Sequence, residues 1–270
     1  MIKNIVLDYQ KLKQNRNFKF ITDLNFFKSD KTIEFTDGVN IIFSPNGAGK
    51  STLLRMIALS LAAEQGGVSK ITTSWYQNII RTHHFNGDKT NILNGATISH
   101  DGQVLNYFNS RKEMGLTHSR DFDPDFSSEG VLELIEHPSS GYRTIQRTRK
   151  LFSLLNDYEK MDFSKIERNI SYPLSEEAEK ILEPKIVKGK PTILMDEPEA
   201  GLSPIFQGNF FTGLPDSENF GKFQWIIATH SPFALTLPNV NVINLTEDEN
   251  YVKNTVNAYK IMLKEISDKY

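Results

Sequence analysis

A glycine-containing loop with a lysine and two hydroxyl side chains follows an apolar run early in the chain. The run is Val39–Phe43, the loop reads Ser-Pro-Asn-Gly-Ala-Gly-Lys-Ser-Thr over residues 44–52, and an apolar helical pattern covers residues 51–63. Glycines let successive backbone N–H groups converge on a phosphate, and a helix N-terminus adds partial positive charge. The alternative is a glycine-rich turn that binds nothing, but Gly-Lys-Ser between a predicted strand and a predicted helix favours a phosphate site. The predicted nucleotide-binding residues are Asn46, Gly47, Ala48, Gly49, Lys50, Ser51 and Thr52.

Acidic and imidazole side chains follow two later apolar runs. Asp196 and Glu197 come after the run over residues 191–195, and His230 comes after the run over residues 223–228. Ligands of parallel sheets bind beyond the carboxyl ends of the strands, so these side chains are expected beside the phosphate loop. Solvated acids and a structural histidine are the alternative interpretation, and the upstream phosphate loop favours a functional one.

Each of these polar side chains is assigned a separate task. Lys50 is expected to reach the β- and γ-phosphates, while Ser51 and Asp196 hold Mg²⁺. Glu197 is expected to polarise the attacking water, and His230 to hydrogen-bond the γ-phosphate and sense its loss. The predicted catalytic residues are therefore Glu197, His230 and Lys50.

Composition excludes several other classes of protein. The 270 residues carry 31 basic and 33 acidic side chains, a net charge of -2, which gives no overall basicity for gripping nucleic acid. The absence of cysteine excludes disulfides, thiolate metal sites and cysteine catalysis. The longest largely apolar stretch, residues 53–63, is too short to cross a bilayer, and the first twenty residues lack the apolar core of a signal peptide. We therefore expect a cytoplasmic protein without membrane association.

The elements expected to position these residues belong to an α/β protein. Strands are predicted over residues 2–7, 18–27, 31–35 and 39–43, with a hairpin over residues 97–108 that turns at Asp101-Gly102. The later segments are predicted as a loop over 111–128, helices over 130–136, 141–155 and 253–269, and strands over 191–195, 223–228 and 240–245. The last three strands are too apolar to leave a face in water, which indicates a parallel sheet buried on both sides.

The combined motifs resemble the ABC-type ATPase superfamily. They are residues 46–52, Ser-Ser-Gly-Tyr-Arg over 139–143, Leu-Met-Asp-Glu-Pro-Glu-Ala-Gly-Leu-Ser-Pro over 194–204, and Ala-Thr-His-Ser-Pro over 228–232. The resemblance implies an α/β P-loop NTPase of ABC type, with a mostly parallel central sheet flanked by helices, an N-terminal antiparallel β subdomain and a helical signature-motif subdomain. It implies one domain over 1–270, with lobes at 1–110, 111–190 and 191–270. It also implies that Ser139, Ser140 and Gly141 contact ATP held by a second subunit.

Within the superfamily, the motifs resemble stand-alone ATPases rather than transporters. The similar proteins are the overcoming-lysogenization-defect proteins, RecF and the ATPase subunits of anti-phage systems. Two departures are Ser44, where a glycine usually opens the loop, and Ser203, near where an aspartate usually stands. Residues 156–190 form a charged insertion, interpreted as a partner-docking arm or a solvated segment. The glutamine loop is assigned to Gln77 or Gln103.

The resemblance implies an ATP-hydrolysing switch that forms a homodimer or higher oligomer around MgATP. An effector such as a nuclease or toxin is the expected protein partner, in a bacterial anti-phage defence system. DNA is a further candidate ligand. The basic side chains near the signature motif that suggest it are Arg111, Lys112, Arg120, Arg143, Arg147, Arg149 and Lys150, although a solvated helix flank explains them equally. The alternatives are a nucleotide-gated scaffold with slow or no turnover and the nucleotide-binding subunit of a transporter.

Overall fold

A computed structural model describes the parts of the chain that carry the motifs around the phosphate loop. The described residues are 1–14, 19–61, 64–65, 70–72, 95–101, 104–109, 144–145, 148–149, 151–153, 156, 167–169, 190–218 and 220–269. The strands are β1 (Ile2–Leu7), β2 (Lys31–Glu34), β3 (Val39–Phe43), β4 (Glu64–Gln65), β5 (Lys70–Thr72), β6 (Ala96–His100), β7 (Val104–Asn109), β8 (Glu167–Asn169), β9 (Thr192–Asp196), β10 (Gln224–Thr229) and β11 (Asn241–Ile243). The α-helices with assigned bounds are α1 (Tyr9–Gln14), α2 (Lys19–Asp23), α3 (Lys50–Ser60), α4 (Pro204–Gly213) and α5 (Tyr251–Ser267). Short 3₁₀ helices cover Asn25–Lys28, Phe220–Lys222 and Pro232–Thr236.

A parallel sheet forms the centre of the protein. Its strand order is β11-β3-β10-β9-β7-β4, and every neighbouring pair is parallel. All residues of β3, β9 and β10 are buried, as expected for strands covered on both faces. Ala228 pairs with Asp196, and Thr229 pairs with Phe43. The carboxyl ends of these three strands therefore lie side by side.

Alternate residues of the central strands enter two hydrophobic clusters. Ile42, Leu194 and Ile226 pack on the face that carries α3 and the N-terminal strand β1. The intervening residues Ile41, Ile193, Met195, Trp225 and Ile227 pack on the opposite face with Phe211 of α4. This period of two follows from strand geometry and explains why the sequence shows unbroken apolar runs instead of alternation.

A smaller sheet and a strand pair complete the described architecture. The smaller sheet has the order β2-β1-β6 and is antiparallel throughout. Its Ile2, Ile5 and Leu7 belong to the cluster that also covers the central sheet. The two-stranded parallel pair β5-β8 includes residues 167–169 of the predicted charged insertion. The predicted α/β class, with a parallel central sheet and an N-terminal antiparallel sheet, is confirmed.

Two sequence predictions about local structure are wrong. Residues 97–108 do not form a hairpin, because β6 pairs with β1 while β7 pairs with β9 and β4 in the other sheet. The Asp-Gly turn signal thus marks a change of sheet. Within residues 18–27, the described part forms α2 and a 3₁₀ turn instead of a strand. Ile21, Leu24 and Phe27 recur every three residues, so a helical face reaches the core where an aromatic strand was expected.

The other predicted elements agree with the structure wherever it describes them. The phosphate-loop helix and the last three strands appear within a few residues of their predicted bounds, and helix α1 was not predicted. The helix predicted over 130–136 and the loop over 111–128 lie outside the described residues, and of 141–155 only a helical part is described. In α5, Tyr251 and Val252 pack against the core, whereas Ile261 and Leu263 are exposed. Among the described helices, none is long and apolar enough to span a membrane.

Gly95 offers a test of the junction between the small sheet and α1. Its φ is +109°, and an added Cβ would lie 2.6 Å from the Leu12 nitrogen and 2.8 Å from the Asp8 oxygen. Both neighbours are backbone atoms, so neither can swing away. We expect Gly95→Ala to lower the free energy of unfolding by about 2 to 4 kcal/mol. Denaturant unfolding should show this loss, while Gly213→Ala, which meets no atom within 4 Å, stays near wild type. Equal effects of the two changes would contradict the prediction.

Candidate functional site

The loop between β3 and α3 has the backbone conformation of a phosphate cradle. Gly47 and Gly49 have φ values of +77° and +101°, which glycine adopts without steric cost. At Gly49 a Cβ would also lie 2.7 Å from Cε2 of Phe27. The 3₁₀ turn that holds Phe27 therefore fixes the approach of the loop, and glycine is required there for space as well as for conformation.

Ser44, the departure from the usual leading glycine, has a structural role. Its side chain is buried, accepts the Leu245 N–H at 2.7 Å and lies 3.3 Å from Asn244 Oδ1. These contacts join the start of the phosphate loop to the segment after β11. The serine thus anchors the loop without occupying the positions of the phosphate-facing glycines.

Lys50 begins α3 and is almost fully buried. Its ammonium group donates to the carbonyl oxygens of Ser44 at 2.8 Å and Pro45 at 3.1 Å, and it lies 2.7 Å from Nε2 of His230. An ammonium group has donors only, so Nε2 must accept in this contact. His230 is therefore neutral in this arrangement, with its proton on Nδ1.

Ser51 and Asp196 meet across the junction of α3 and β9. The Ser51 hydroxyl donates to Asp196 Oδ1 at 2.8 Å. Hydroxyl and carboxylate oxygens suit Mg²⁺, which keeps several waters and takes few protein ligands. Among the described residues there is no group of three His, Asp or Glu side chains able to hold a metal. The hydroxyl of Ser51 and the carboxylate of Asp196 fit an ion that takes its other ligands from phosphate and water.

Glu197 has a backbone conformation that is uncommon for a residue with a side chain. Its φ is +47°, and its N–H donates to the Ala228 oxygen at 2.8 Å. The carboxylate is mostly buried, and its Oε1 lies 3.6 Å from His230 Nε2. The left-handed conformation turns the chain directly at the strand end, and such outliers concentrate at functional sites.

Glu199 is a site residue that sequence reasoning missed. Its Oε1 accepts the Thr229 hydroxyl at 2.5 Å and the His230 N–H at 3.1 Å. Its Oε2 is buried and has no hydrogen-bond partner among the described residues. Burial raises the pKa of this carboxyl above its ordinary value, and the hydrogen bonds from Thr229 and His230 oppose the rise. The sequence signal that could have identified it is a third acid, Glu199, immediately after Asp-Glu-Pro at the end of a buried strand.

The raised pKa of Glu199 predicts how stability depends on pH. The unfolded chain loses this proton at a lower pH than the folded protein, so the folded state binds more protons in between and stability falls as pH rises through that window. Glu199→Gln removes the titration. We expect the melting temperature of the Gln variant, relative to wild type, to rise as the pH increases from acidic to neutral. The control is Glu218→Gln, because Glu218 is an exposed acid. A difference in melting temperature between Glu199→Gln and wild type that stays constant with pH would refute the prediction.

A cavity of about 200 Å³ lies beside the phosphate loop. Its lining includes Asn46 and Gly47 of the loop, Phe26 and Lys31 from the N-terminal region, and Leu245. The Lys31 ammonium lies 4.6 Å from the centre of the Phe26 ring. The cavity therefore places an aromatic ring, together with polar side chains that include Thr246 and Glu247, beside the backbone that is predicted to hold phosphate.

The structure brings together the predicted phosphate-loop, magnesium and catalytic residues, but several other predicted positions lie outside the described residues. These are Gln77, Gln103, Arg111, Lys112, Arg120, Ser139, Ser140, Gly141, Arg143, Arg147 and Lys150. Arg149 is described and exposed. Thr144, three residues after Gly141, is buried and donates to the Ala200 oxygen at 2.8 Å. This bond connects the segment after the predicted signature motif to the loop that follows Glu197.

Comparison with known proteins gives one family. Residues 16–268 match the family AAA_23, described as an AAA domain, and no curated protein matches the chain. A nucleotide-free ATP-binding cassette from an ABC transporter is 13% identical, with 80% of this chain and 81% of that chain covered and a TM-score of 0.28. The ADP conformation of MJ1267, an ATP-binding cassette of an ABC transporter, is 15% identical, with 98% and 99% covered and a TM-score of 0.33. Both likenesses are distant, so the assignment depends on the family match, which supports a P-loop ATPase and does not distinguish among branches. The chain belongs to the AAA_23 family of AAA domains.

Proposed function

We propose that this protein binds MgATP at residues 44–52 and hydrolyses it to ADP and phosphate. The observation that supports the proposal is the convergence of Lys50, the Ser51–Asp196 pair, Glu197 and His230 at one edge of the parallel sheet. Lysine, hydroxyl, carboxylate and imidazole groups at the end of a phosphate cradle supply what phosphoryl transfer to water requires.

Binding of the triphosphate would use groups already in position. The loop N–H groups around Gly47 and Gly49 would cradle the phosphates together with the α3 N-terminus. Lys50 would exchange its present partners for phosphate oxygens, since the Ser44 and Pro45 carbonyl oxygens and His230 Nε2 are acceptors that a phosphate can replace. Ser51 and Asp196 would hold Mg²⁺, which supplies charge neutralisation to the β- and γ-phosphates when bound.

The nucleoside is assigned to the cavity beside the loop. Asn46 and Gly47 line both the cavity and the phosphate cradle, so a nucleotide with its phosphates on the loop can extend its base toward Phe26. Apolar and aromatic walls with a few polar groups are typical of cofactor pockets.

Hydrolysis is assigned to Glu197 and His230. Glu197 would orient the attacking water and accept its proton, because its carboxylate is held at the strand end beside the phosphate loop. Transfer of Lys50 to phosphate would release Nε2 of His230, which could then accept a hydrogen bond from the water, or donate one to the γ-phosphate once Nε2 carries a proton. Water adds to the γ-phosphorus as the bond to the β-phosphate oxygen breaks, and ADP carries that oxygen away.

The proposed assembly is a dimer that closes around MgATP. Ser139, Ser140 and Gly141 would contact the nucleotide of the second copy, as the resemblance implies. Two apolar side chains support a second copy at this position, because large exposed apolar groups often mark protein interfaces. They are Ile205 and Phe206, which closely follow loop 197–202 and are 76% and 53% exposed. Control of an effector, action on DNA and a role in anti-phage defence belong to this proposal through the resemblance.

Calorimetry and a phosphate-release assay on the wild-type chain test the function. We expect MgATP to bind, EDTA to weaken binding, and phosphate to be released. A non-hydrolysable ATP analogue should increase the mass measured by light scattering. Binding and dimer formation without turnover would select the nucleotide-gated scaffold, and absence of binding would refute the proposal.

A further inference from the structure

Glu199 connects the two strand ends that carry Glu197 and His230, the proposed catalytic residues of the ATPase site. Glu197 lies two residues before it on the loop after β9, while Thr229 ends the neighbouring strand β10 and His230 follows it directly. One carboxylate oxygen of Glu199 receives both the Thr229 hydroxyl and the backbone N–H of His230. The backbone position of His230 therefore depends on the side chain of Glu199, which belongs to the loop that carries Glu197.

The hydrogen bonds extend beyond this contact and return to the same loop. The Thr229 hydroxyl oxygen also accepts the Ser231 N–H at 2.9 Å, and the Ser231 hydroxyl donates to Gln207 Oε1 at 3.0 Å. The Gln207 amide then donates to the Leu202 oxygen at 3.0 Å. Loop 197–202, the end of β10 and the first turns of α4 thus form one bonded unit. A unit of this kind restrains the 3.6 Å separation between Glu197 Oε1 and His230 Nε2.

We propose that Glu199 is a positioning residue for hydrolysis, acting through His230. This inference rests on the proposed ATPase function. Among the described residues, the Glu199 side chain bonds to Thr229 and His230 and not to the phosphate loop, so its effect should fall on turnover and not on nucleotide affinity. The role needs an acceptor oxygen at Oε1 and no negative charge, because Oε2 has no hydrogen-bond partner among the described residues. Glutamine should therefore replace glutamate, with its amide oxygen in the place of Oε1.

The test compares three substitutions in kcat, KM and the MgATP dissociation constant. We expect Glu199→Ala to lower kcat about 10- to 100-fold, with the dissociation constant within about threefold of wild type, because small displacements of reacting groups cost that much. Glu199→Gln should stay within about fivefold of wild type in kcat. Glu218→Ala changes an exposed acid and should leave all three constants unaltered. A wild-type kcat for Glu199→Ala would overturn the inference.

A double-mutant cycle separates positioning of His230 from a general loss of structure. If Glu199 acts through His230, Glu199→Ala should cause little further loss of kcat in a His230→Ala background. A full additional loss in that background would overturn the inference. If Glu199→Ala does not fold, Thr229→Val provides the test, since it keeps the volume and removes the hydroxyl that Glu199 binds. It should lower kcat about tenfold without changing the dissociation constant, and unchanged kcat would overturn the inference. Absence of wild-type turnover would overturn both this inference and the proposed hydrolysis, whereas wild-type turnover with an indifferent Glu199 overturns this inference alone.

Discussion

Lys50→Ala is expected to weaken MgATP binding about 100-fold and to bring turnover to background. The ammonium group is held by two carbonyl oxygens and His230 in a buried position, and the proposed triphosphate would take over these hydrogen bonds. Charge-assisted hydrogen bonds contribute about 1.5 to 3 kcal/mol each, and about 2.7 kcal/mol corresponds to a factor of 100 in affinity. Titration calorimetry of wild type and variant measures the difference directly.

The matched control for this change is Lys260→Ala. Lys260 is an exposed residue of α5 and belongs neither to the phosphate loop nor to the residues that line the cavity. It removes the same charge from the same protein, so it corrects for general electrostatic effects. Circular dichroism should show that both variants fold. Wild-type affinity in a folded Lys50→Ala protein would remove the phosphate loop from the proposed site.

The sequence was sufficient to predict the centre of the site because local patterns determine it. The run Val39–Phe43 carries one polar side chain, Asn40, among four apolar ones, which favours a strand covered on both sides, and such strands are typical of parallel sheets. Parallel pairing places the ends of β3, β9 and β10 at one edge, which brings Lys50, Asp196 and His230 together. No information about distant contacts was needed for that step.

The features that the sequence did not predict depend on contacts between residues that are far apart in the chain. Glu199 and Thr229 are thirty positions apart, and no spacing rule predicts that they bond. Strands β6 and β7 flank a turn signal that is equally compatible with a hairpin and with a change of sheet. Ser44 differs from the usual pattern for a reason that appears only when Leu245 lies against it. Local sequence fixes element type better than it fixes partners, because partners are chosen by the whole core.

Glu197→Gln is expected to lower kcat by about 10²- to 10⁴-fold while MgATP binding persists. Glutamine matches the size of glutamate and retains its hydrogen-bonding capacity, but its neutral amide cannot accept a proton from water at neutral pH. The backbone bond from residue 197 to the Ala228 oxygen does not involve the side chain, so the turn at the strand end should survive. Single-turnover measurements with saturating ATP isolate the chemical step from product release.

The decisive comparison is between the same substitution at two neighbouring buried positions. Glu197→Gln and Glu199→Gln each replace a carboxyl group by an amide of the same size in the loop after β9, and both residues are more than nine-tenths buried. Only Glu197 has its carboxylate beside Nε2 of His230, whereas Glu199 bonds the backbone N–H of that residue. Loss of turnover confined to position 197 would therefore identify proton acceptance as the function of that carboxylate. Equal losses at both positions would show that the integrity of the loop, and not the location of the base, controls hydrolysis, and would remove Glu197 from its proposed role.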